Sequence, residues 1–313
     1  MEKVLFTSIG RRVQLARHFI EHGWEVIGAD ANPDECATRN IVPQIYKVPK
    51  SDDQGYLEQL LEICKLEQVN CLIPLFEPEL VKLAFLKKEF QEVGTRIVVS
   101  DVEKLQVCLN KFTLYQYLRN SKILTPDTYD SYERIDGNSK WVVKPKTGMG
   151  SKDVYITNKS DASFVWNKVY DPIIQRYIEG QEYSIDAFVA DNGRVLSIVP
   201  RKRLEVRSGE VSKSVTIRDV ALTEQTLQLL RQLQLSGPVT LQGIKERTTG
   251  LFYFIEINPR FGGGVPLTIH SGVPYADFLK TGYQQYENLY PYQAGLKMLR
   301  YDEAVFVNDK GSE

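Results

Sequence analysis

The chain has 313 residues, of which 42% are hydrophobic and 25% are charged, the balance of an ordinary soluble globular protein. Lysine and arginine number 39 against 40 aspartate and glutamate residues, and this near-neutral balance gives no support for a general nucleic-acid binder. The apolar runs are too short to cross a bilayer, which takes ~20 residues, and no signal peptide is visible, so we expect a cytoplasmic protein without a membrane segment.

The first hundred residues alternate between strand and helix patterns. Helices are predicted where apolar residues recur with helical spacing, and strands where apolar residues form short runs between turns. The predicted strands cover 3–8, 25–30, 71–75 and 96–100, and the predicted helices cover 11–22, 56–65 and 78–91. Such alternation predicts a parallel sheet, in which the loops after the strands carry the functional residues.

Two of these loops contain candidate substrate residues. Arg11 follows the first strand and is either a solvated residue or a contact for a carboxylate or phosphate. Glu77, like Glu79, either favours the start of a helix or binds an amine-bearing substrate. The turn after the first strand lacks the G-x-G-x-x-G spacing, which argues against a dinucleotide site.

From residue 111 onwards the pattern changes. The predicted helices cover 112–120, 160–169 and 222–235, and the predicted strands cover 141–145, 154–156, 173–178, 182–189, 195–200, 214–219, 239–244 and 252–257. Residues 208–214 are predicted to form a flexible loop. Strands joined by short turns predict a mostly antiparallel sheet with attached helices, an α+β arrangement.

A glycine-containing turn at 147–152 follows the strand that carries Lys144. Glycine lets backbone N–H groups approach a phosphate closely, and the lysine ammonium is suited to phosphate charge. Glycine-rich hairpins are common without a ligand, so the turn by itself indicates little. The four cysteines and three histidines show no metal-ligand spacing, which favours free thiols over a zinc site.

Oxygen-bearing side chains lie near the end of the chain. Glu256 and Asn258 are two residues apart on one predicted strand and therefore face the same side, and Gln242 lies on the neighbouring predicted strand. Their oxygens are ligands of the kind that Mg²⁺ accepts. Arg260 follows the strand and can reach a substrate anion. An isolated E-x-N pair is not specific, so the prediction depends on the upstream lysine and glycines.

In this order and spacing the residues resemble the ATP-grasp superfamily, most closely carbamoyl phosphate synthetase-type domains and the amino-acid ligase of pyrrolysine biosynthesis. The resemblance covers nearly the whole chain. It implies an α/β N-terminal pre-ATP-grasp (Rossmann-like) domain followed by an α+β ATP-grasp fold. The implied domains are 1–103, a small subdomain with a glycine lid over 104–178, and a large subdomain with the metal site over 179–313.

The resemblance also implies site residues. Those assigned to ATP are Lys111, Lys144, Gly148, Gly150, Ser151, Gln175, Arg176, Tyr177, Ile178, Glu182 and Gln242. Those assigned to Mg²⁺, with Mn²⁺ as the alternative, are Gln242, Glu256 and Asn258. Within this set, residues 175–178 would be the purine-edge and hinge segment, and Glu182 would be the ribose carboxylate. Gln175 departs from the family, in which many members have glutamate at the start of the hinge.

Charge stabilisation in catalysis is assigned to Arg260 and Lys144. The basic segment 200–207 is either a solvated strand end or a site for carboxylate and phosphate, since arginine binds carboxylates in a bidentate manner. On the second interpretation Arg201 is catalytic and Arg203 contacts substrate. Gly263, in the glycine run after Arg260, would let the backbone approach a substrate closely.

The implied activity is that of an ATP- and Mg²⁺-dependent carboxylate–amine ligase of the amino-acid type, acting through an acyl phosphate. A carbamoyl phosphate synthetase-like subunit that phosphorylates bicarbonate is the first alternative, and a non-catalytic nucleotide-binding regulatory protein is the second. The expected partners are a small carboxylate and a small amine. The sequence leaves open which ones, and whether the protein is a homodimer.

Overall fold

The computed structural model describes residues 1–137, 139–150, 152–207, 209–280 and 288–306. The chain divides into two compact units. The first comprises Met1–Ile97 with a C-terminal segment from Leu299, and the second runs from Val98 to Met298. Within the described ranges, no helix is long and apolar enough to cross a membrane.

The first unit is built on a five-stranded parallel sheet. Its strands follow the spatial order β3-β2-β1-β4-β5, and they are β1 (Lys3–Thr7), β2 (Glu25–Asp30), β3 (Ile45–Lys47), β4 (Cys71–Ile73) and β5 (Arg96–Ile97). Its helices are α1 (Val13–Glu21), α2 (Tyr56–Glu67), α3 (Leu80–Phe85) and α4 (Lys87–Glu92). The α/β arrangement predicted from the alternation is confirmed.

The second unit begins with two helices and a four-stranded antiparallel sheet. The helices are α5 (Val102–Leu109) and α6 (Lys111–Asn120). The sheet has the order β6-β9-β7-β8, and its elements, with one further helix, are β6 (Thr128–Tyr129), β7 (Trp141–Pro145), β8 (Tyr155–Thr157), α7 (Ala162–Trp166) and β9 (Pro172–Arg176).

A six-stranded sheet with the order β14-β13-β10-β11-β12-β15 forms the remainder of this unit. Its strands are β10 (Gly180–Val189), β11 (Val195–Arg207), β12 (Glu210–Thr216), β13 (Gly237–Glu246), β14 (Phe252–Asn258) and β15 (Lys297–Leu299). The accompanying helices are α8 (Val220–Leu233), α9 (Val265–His270) and α10 (Tyr275–Lys280). The expectation of a second, antiparallel α+β part is confirmed.

One face of the six-stranded sheet is apolar. Alternate residues of β10 enter a buried cluster that also includes side chains of α5, α6 and α8; in β10 they are Tyr183, Ile185, Ala187 and Val189. Side chains alternate between the two faces of a strand, so the intervening residues of β10 lie on the opposite face. That opposite face carries Glu182, Ser184 and Asp186, and it is where the candidate site lies.

The prediction of a flexible loop at 208–214 is wrong for residues 210–214, and Ser208 lies outside the described residues. Strand β11 continues to Arg207 and pairs with β12 in a hairpin, so Glu210 to Ser214 are extended. Cross-strand contacts stabilise this extension: Glu205 accepts hydrogen bonds from Lys213 and Ser212 of β12. These bonds, Lys213 first, lower the pKa of its carboxyl to about 2, with a smaller contribution from Arg207 on the same strand. Residues 208–214 contain a single apolar residue, Val211, and so show no hydrophobic alternation that would indicate a strand.

Candidate active site

The register of four neighbouring strands, β11, β10, β13 and β14, brings the polar residues into one row. Arg201 of β11 lies opposite Ser184 of β10, Ser184 lies opposite Gln242 of β13, and Gln242 lies opposite Glu256 of β14. Directly opposed residues of antiparallel strands project from the same face. Four residues that are far apart in sequence therefore form one line across the sheet.

Strand β14 contains a bulge that makes this row possible. Gln242 pairs with Glu256, but the next residue of β13, Gly243, pairs with Phe254, so Ile255 is an extra residue in β14. In a regular strand Phe254 and Glu256 would share a face. The extra residue allows Phe254 to stay in the apolar core while Glu256 faces the polar side.

The oxygens of Gln242, Glu256 and Asn258 form a donor set for a divalent cation. Asn258 lies opposite Thr240, next to the row, and is buried. Within the described part of the chain the Glu256 and Asn258 side chains make no hydrogen bond, while Gln242 Oε1 accepts one from Arg203 Nη1 at 2.6 Å. One carboxylate and two amide oxygens fit Mg²⁺, which takes hard oxygen ligands and completes its shell with water and phosphate.

Arg203 links the predicted metal and nucleotide residues. Besides its hydrogen bond to Gln242, its Nη1 lies 3.6 Å from Glu182 Oε2, and the Glu182 side chain is 51% exposed. Burial lowers the pKa of the Arg203 guanidinium from its ordinary value. A cation thus lies between the predicted ribose carboxylate and a predicted metal ligand.

Arg201 lies in a closed ion pair instead. Its Nε and Nη2 donate to the two carboxylate oxygens of Asp186, each at 2.8 Å, and both side chains are almost fully buried. The hydroxyls of Thr240 and Thr268 also donate to Asp186, at 3.1 and 2.5 Å. Of the three guanidinium nitrogens of Arg201, only Nη1 has no partner among the described residues.

A glycine turn after Asn258 covers this ion pair. A Cβ on Gly264 would lie 2.4 Å from Arg201 Nη1, and one on Gly262 would lie 2.6 Å from Thr240 Oγ1. Both glycines are thus explained by close packing against buried polar groups. Gly263 lies between them, and Arg260 begins the same turn, where its N–H donates to Asn258 O at 2.8 Å.

The two predicted phosphate-binding lysines lie at the other sheet of this unit. Lys111, at the start of α6, donates through Nζ to Gly148 O at 2.8 Å and so contacts the predicted glycine lid. The backbone of Gly150, in the same turn, lies against that of Gly209 in the β11–β12 hairpin, where a Cβ on Gly209 would lie 2.8 Å from the Gly150 carbonyl. Ser151, also predicted to bind ATP, lies outside the described residues.

Lys144, on β7, is the most perturbed cation of the site. Its side chain is buried, and burial, together with the positive charge of Lys111, lowers the pKa of its ammonium to about 8, while Glu256 opposes the shift. Its Nζ donates to Gln175 Oε1 at 2.8 Å. A buried, perturbed lysine is typical of a functional site.

The predicted hinge, residues 175–178, begins in the last two residues of β9. Arg176 forms an ion pair with Glu246 at 3.2 Å, the N–H of Tyr177 donates to Lys140 O at 3.0 Å, and Ile178 is buried. Gln175 faces Lys144, so the departure from glutamate at this position has a direct effect on that lysine.

The predicted substrate residues of the first unit lie at the carboxyl ends of its strands. Arg11 is exposed in the turn after β1, and Glu77 is half-buried in a short 3-10 turn after β4. Glu79 is fully buried: Thr7 and Tyr56 donate their hydroxyls to it, and Phe76 donates its N–H. These contacts account for Glu79 as a residue that stabilises the loop.

Two known protein families match this chain. The ATP-grasp domain family matches residues 108–264, half of the chain, and the PylC-like N-terminal domain matches residues 4–98. The chain belongs to the ATP-grasp family. The predicted family is confirmed.

Solved structures share the ATP-grasp architecture. The N5-carboxyaminoimidazole synthetase of Staphylococcus aureus is 14% identical with a TM-score of 0.68, over 95% of this chain and 92% of that one. The L-amino acid ligase of Bacillus licheniformis is 18% identical with a TM-score of 0.65, over 90% and 73%. The biotin carboxylase domain of Hydrogenobacter thermophilus 2-oxoglutarate carboxylase, solved with MgADP and bicarbonate, is 15% identical with a TM-score of 0.71, over 94% and 71%. At these identities the likeness shows the fold.

Three residues of this ATP-grasp site were not predicted from the sequence. Asp186 holds Arg201, Thr268 donates to Asp186, and Thr128 contacts Gln175. Asp186 could have been identified from the sequence pattern, since a charged residue two positions from Ser184 and four from Glu182 continues the polar alternation of β10. Thr128 and Thr268 could not have been identified in this way, because their contacts depend on strand pairing and helix placement.

Proposed function

We propose that this chain is an ATP- and Mg²⁺-dependent ligase that phosphorylates a small carboxylate and transfers the acyl group to an amine. The observation that carries the proposal is the row of Gln242 and Glu256 with neighbouring Asn258, on the same sheet face as Arg203. Oxygen ligands and a guanidinium group on one face suit a reaction in which phosphate charge is moved.

The proposed reaction has two steps. A carboxylate oxygen attacks the γ-phosphorus of ATP, the bond to the β–γ bridging oxygen breaks, and ADP leaves. The amine nitrogen then attacks the acyl carbon, the C–O bond to phosphate breaks, and the amine loses a proton. Bound Mg²⁺ would neutralise phosphate charge in the first step, held by Glu256, Asn258 and Gln242.

The chain's own residues supply binding and charge. Lys111 and Lys144 lie near the glycine turn and suit the phosphates of the nucleotide. Arg260, in the turn after the metal-binding strand, suits the negative charge of the acyl phosphate. Arg203 occupies one lone pair of the Gln242 amide oxygen and places a positive charge beside it, so metal binding at that oxygen would compete with this contact.

Purified protein incubated with ATP, Mg²⁺ and pools of amino acids should release ADP and phosphate in equal amounts and form an amide. Glu256→Gln removes the one carboxylate of the metal set and should lower turnover by at least about a hundredfold, as loss of a key transition-state contact does. Nucleotide binding should be largely retained. Equal ATP hydrolysis in wild type and variant would contradict the proposal.

Bicarbonate is the second candidate acid. A carboxylase domain of the same fold has been solved with bicarbonate, and bicarbonate presents the same attacking oxygen as a carboxylate. ATP hydrolysis that depends on bicarbonate, and not on any amino acid, would favour this candidate.

A further inference from the structure

The Lys144 ammonium is buried yet has few partners. The side chain is 8% exposed, and its Nζ makes one hydrogen bond within the described ranges, to Gln175 Oε1 at 2.8 Å. An ammonium group carries three N–H donors, so two remain available. A buried cation normally has its donors satisfied, and unsatisfied ones indicate a place for an anionic ligand.

Gln175 is itself fixed by a second hydrogen bond. Its Nε2 donates to Thr128 Oγ1 at 2.8 Å, and the Thr128 hydroxyl in turn donates to Pro126 O at 2.8 Å. Gln175 and Thr128 are both buried. The result is a chain of donors and acceptors from Lys144 through Gln175 and Thr128 to the backbone.

The hydrogen bonds from Lys144 through Gln175 to Thr128 can run in only one donor-to-acceptor direction. Lysine can only donate, so the carbonyl oxygen of Gln175 must face Lys144 and the amide nitrogen must face Thr128. The single hydroxyl proton of Thr128 is used on Pro126 O, which leaves a lone pair for Gln175. Every link has its correct donor and acceptor, which rigidifies a buried polar network.

The charged groups around Lys144 come from two elements. Lys111 on α6 repels its positive charge, and Glu256 on β14 attracts it. From β9 and β6 the facing groups are the neutral amide of Gln175 and the neutral hydroxyl of Thr128. No carboxylate among the described residues lies within ion-pair distance of Lys144, so its positive charge has no direct counterion.

We propose that Gln175 and Thr128 are positioning residues: they hold the Lys144 ammonium in place through neutral contacts and keep its charge available for the phosphates of the nucleotide. This inference rests on the proposed nucleotide role of Lys144. A glutamate at position 175 would instead place a negative charge beside Lys144, which would partly neutralise the ammonium and repel the phosphates.

The inference is tested by measuring the Kd of a non-hydrolysable ATP analogue by calorimetry from pH 6.5 to 9.5. Thr128→Val removes the hydroxyl at nearly constant volume, and we expect binding to weaken about fivefold, the effect of one lost hydrogen bond. Thr128→Ser keeps the hydroxyl and should restore most of the affinity. Thr157→Val is the matched control, because Thr157 is a buried threonine of the same sheet that also donates to a backbone carbonyl.

The pH profile separates positioning from simple destabilisation. In the wild type, Lys144 is charged below about pH 8 and binding should weaken as the pH rises through that value. Gln175→Glu adds a neighbouring negative charge, which raises the pKa of the lysine, so binding should be weaker overall and its pH-dependent loss should move to higher pH.

Lys144→Ala distinguishes the two proposals. If Lys144→Ala weakens binding about tenfold or more while Thr128→Val binds like the Thr157→Val control, the positioning role is overturned and the nucleotide role of Lys144 stands. If Lys144→Ala binds like the wild type, the nucleotide role fails and the positioning inference fails with it. Far-UV circular dichroism and thermal melting of each variant confirm that the protein compared is folded.

Discussion

Arg201 and Arg203 are two residues apart on one strand and share one face of the sheet, yet their surroundings differ. Arg201 is 1% exposed and donates twice to a buried carboxylate. Arg203 donates to an amide at 2.6 Å and lies 3.6 Å from a carboxylate that is half exposed. Charge type and sheet face therefore do not define the role of an arginine, whereas its partner and the burial of that partner do. Arg201 is built into the protein, while Arg203 has contacts that a ligand can replace.

The largest effect should follow from breaking the Arg201 pair. Arg201→Met removes the guanidinium at similar volume and leaves Asp186 buried with only the two threonine hydroxyls as donors. We expect the free energy of unfolding to fall by about 3–5 kcal/mol, the cost of leaving one member of a buried ion pair alone. Urea denaturation measures this. A loss below about 1 kcal/mol would show that Arg201 does not have the structural role described.

A medium effect is expected at the glycine turn. Gly264→Ala places a methyl carbon only 2.4 Å from Arg201 Nη1. We expect this overpacking to lower the free energy of unfolding by about 1–3 kcal/mol. The double variant with Arg201→Met should lose less stability than the sum of the two single losses, because the clash is then removed. Strict additivity in urea denaturation would contradict the close packing.

The smallest effect on stability is expected at Arg203. Arg203→Met should change the free energy of unfolding by about 1 kcal/mol or less, because its ion-pair partner is solvent-exposed. Binding should respond instead: removing a cation that holds Gln242 should tighten Mn²⁺ binding about fivefold, roughly the effect of one contact charge in a well-solvated site. Electron paramagnetic resonance of Mn²⁺ in a titration with ADP measures it, and weaker Mn²⁺ binding would count against the competition described.

The sequence predicted the order of elements well where hydrophobic pattern decides structure. The parallel strands β1 and β2 and the antiparallel strands β7, β10 and β14 were all expected from their apolar residues. The predicted helix 78–91 is instead a 3-10 turn and two short helices, α3 and α4, separated at Leu86. Helical spacing of apolar residues does not report such a break, because the spacing continues on both sides of it.

The candidate site was predicted by residue type and order, and the partners within it were not. Glu256 and Gln242 were expected on neighbouring strands, where they lie directly opposite each other. That Arg203 holds Gln242, and that Gln175 contacts Lys144, depends on strand register and side-chain reach. A sequence pattern contains neither quantity, so the roles of these residues remain predictions for experiment.

Because of the bulge at Ile255, the alternation of β14 side chains between the core and the ligand face shifts by one residue part-way along the strand. Up to Phe254 the even-numbered side chains fill the core, and from Glu256 onwards the even-numbered side chains face the ligand side. Deleting Ile255 would restore one regular alternation along β14. Either phenylalanine side chains would then lie in the site, or Glu256 and Asn258 would lie in the apolar core. A designer who copies the E-x-N pair onto another sheet must therefore copy the extra residue as well.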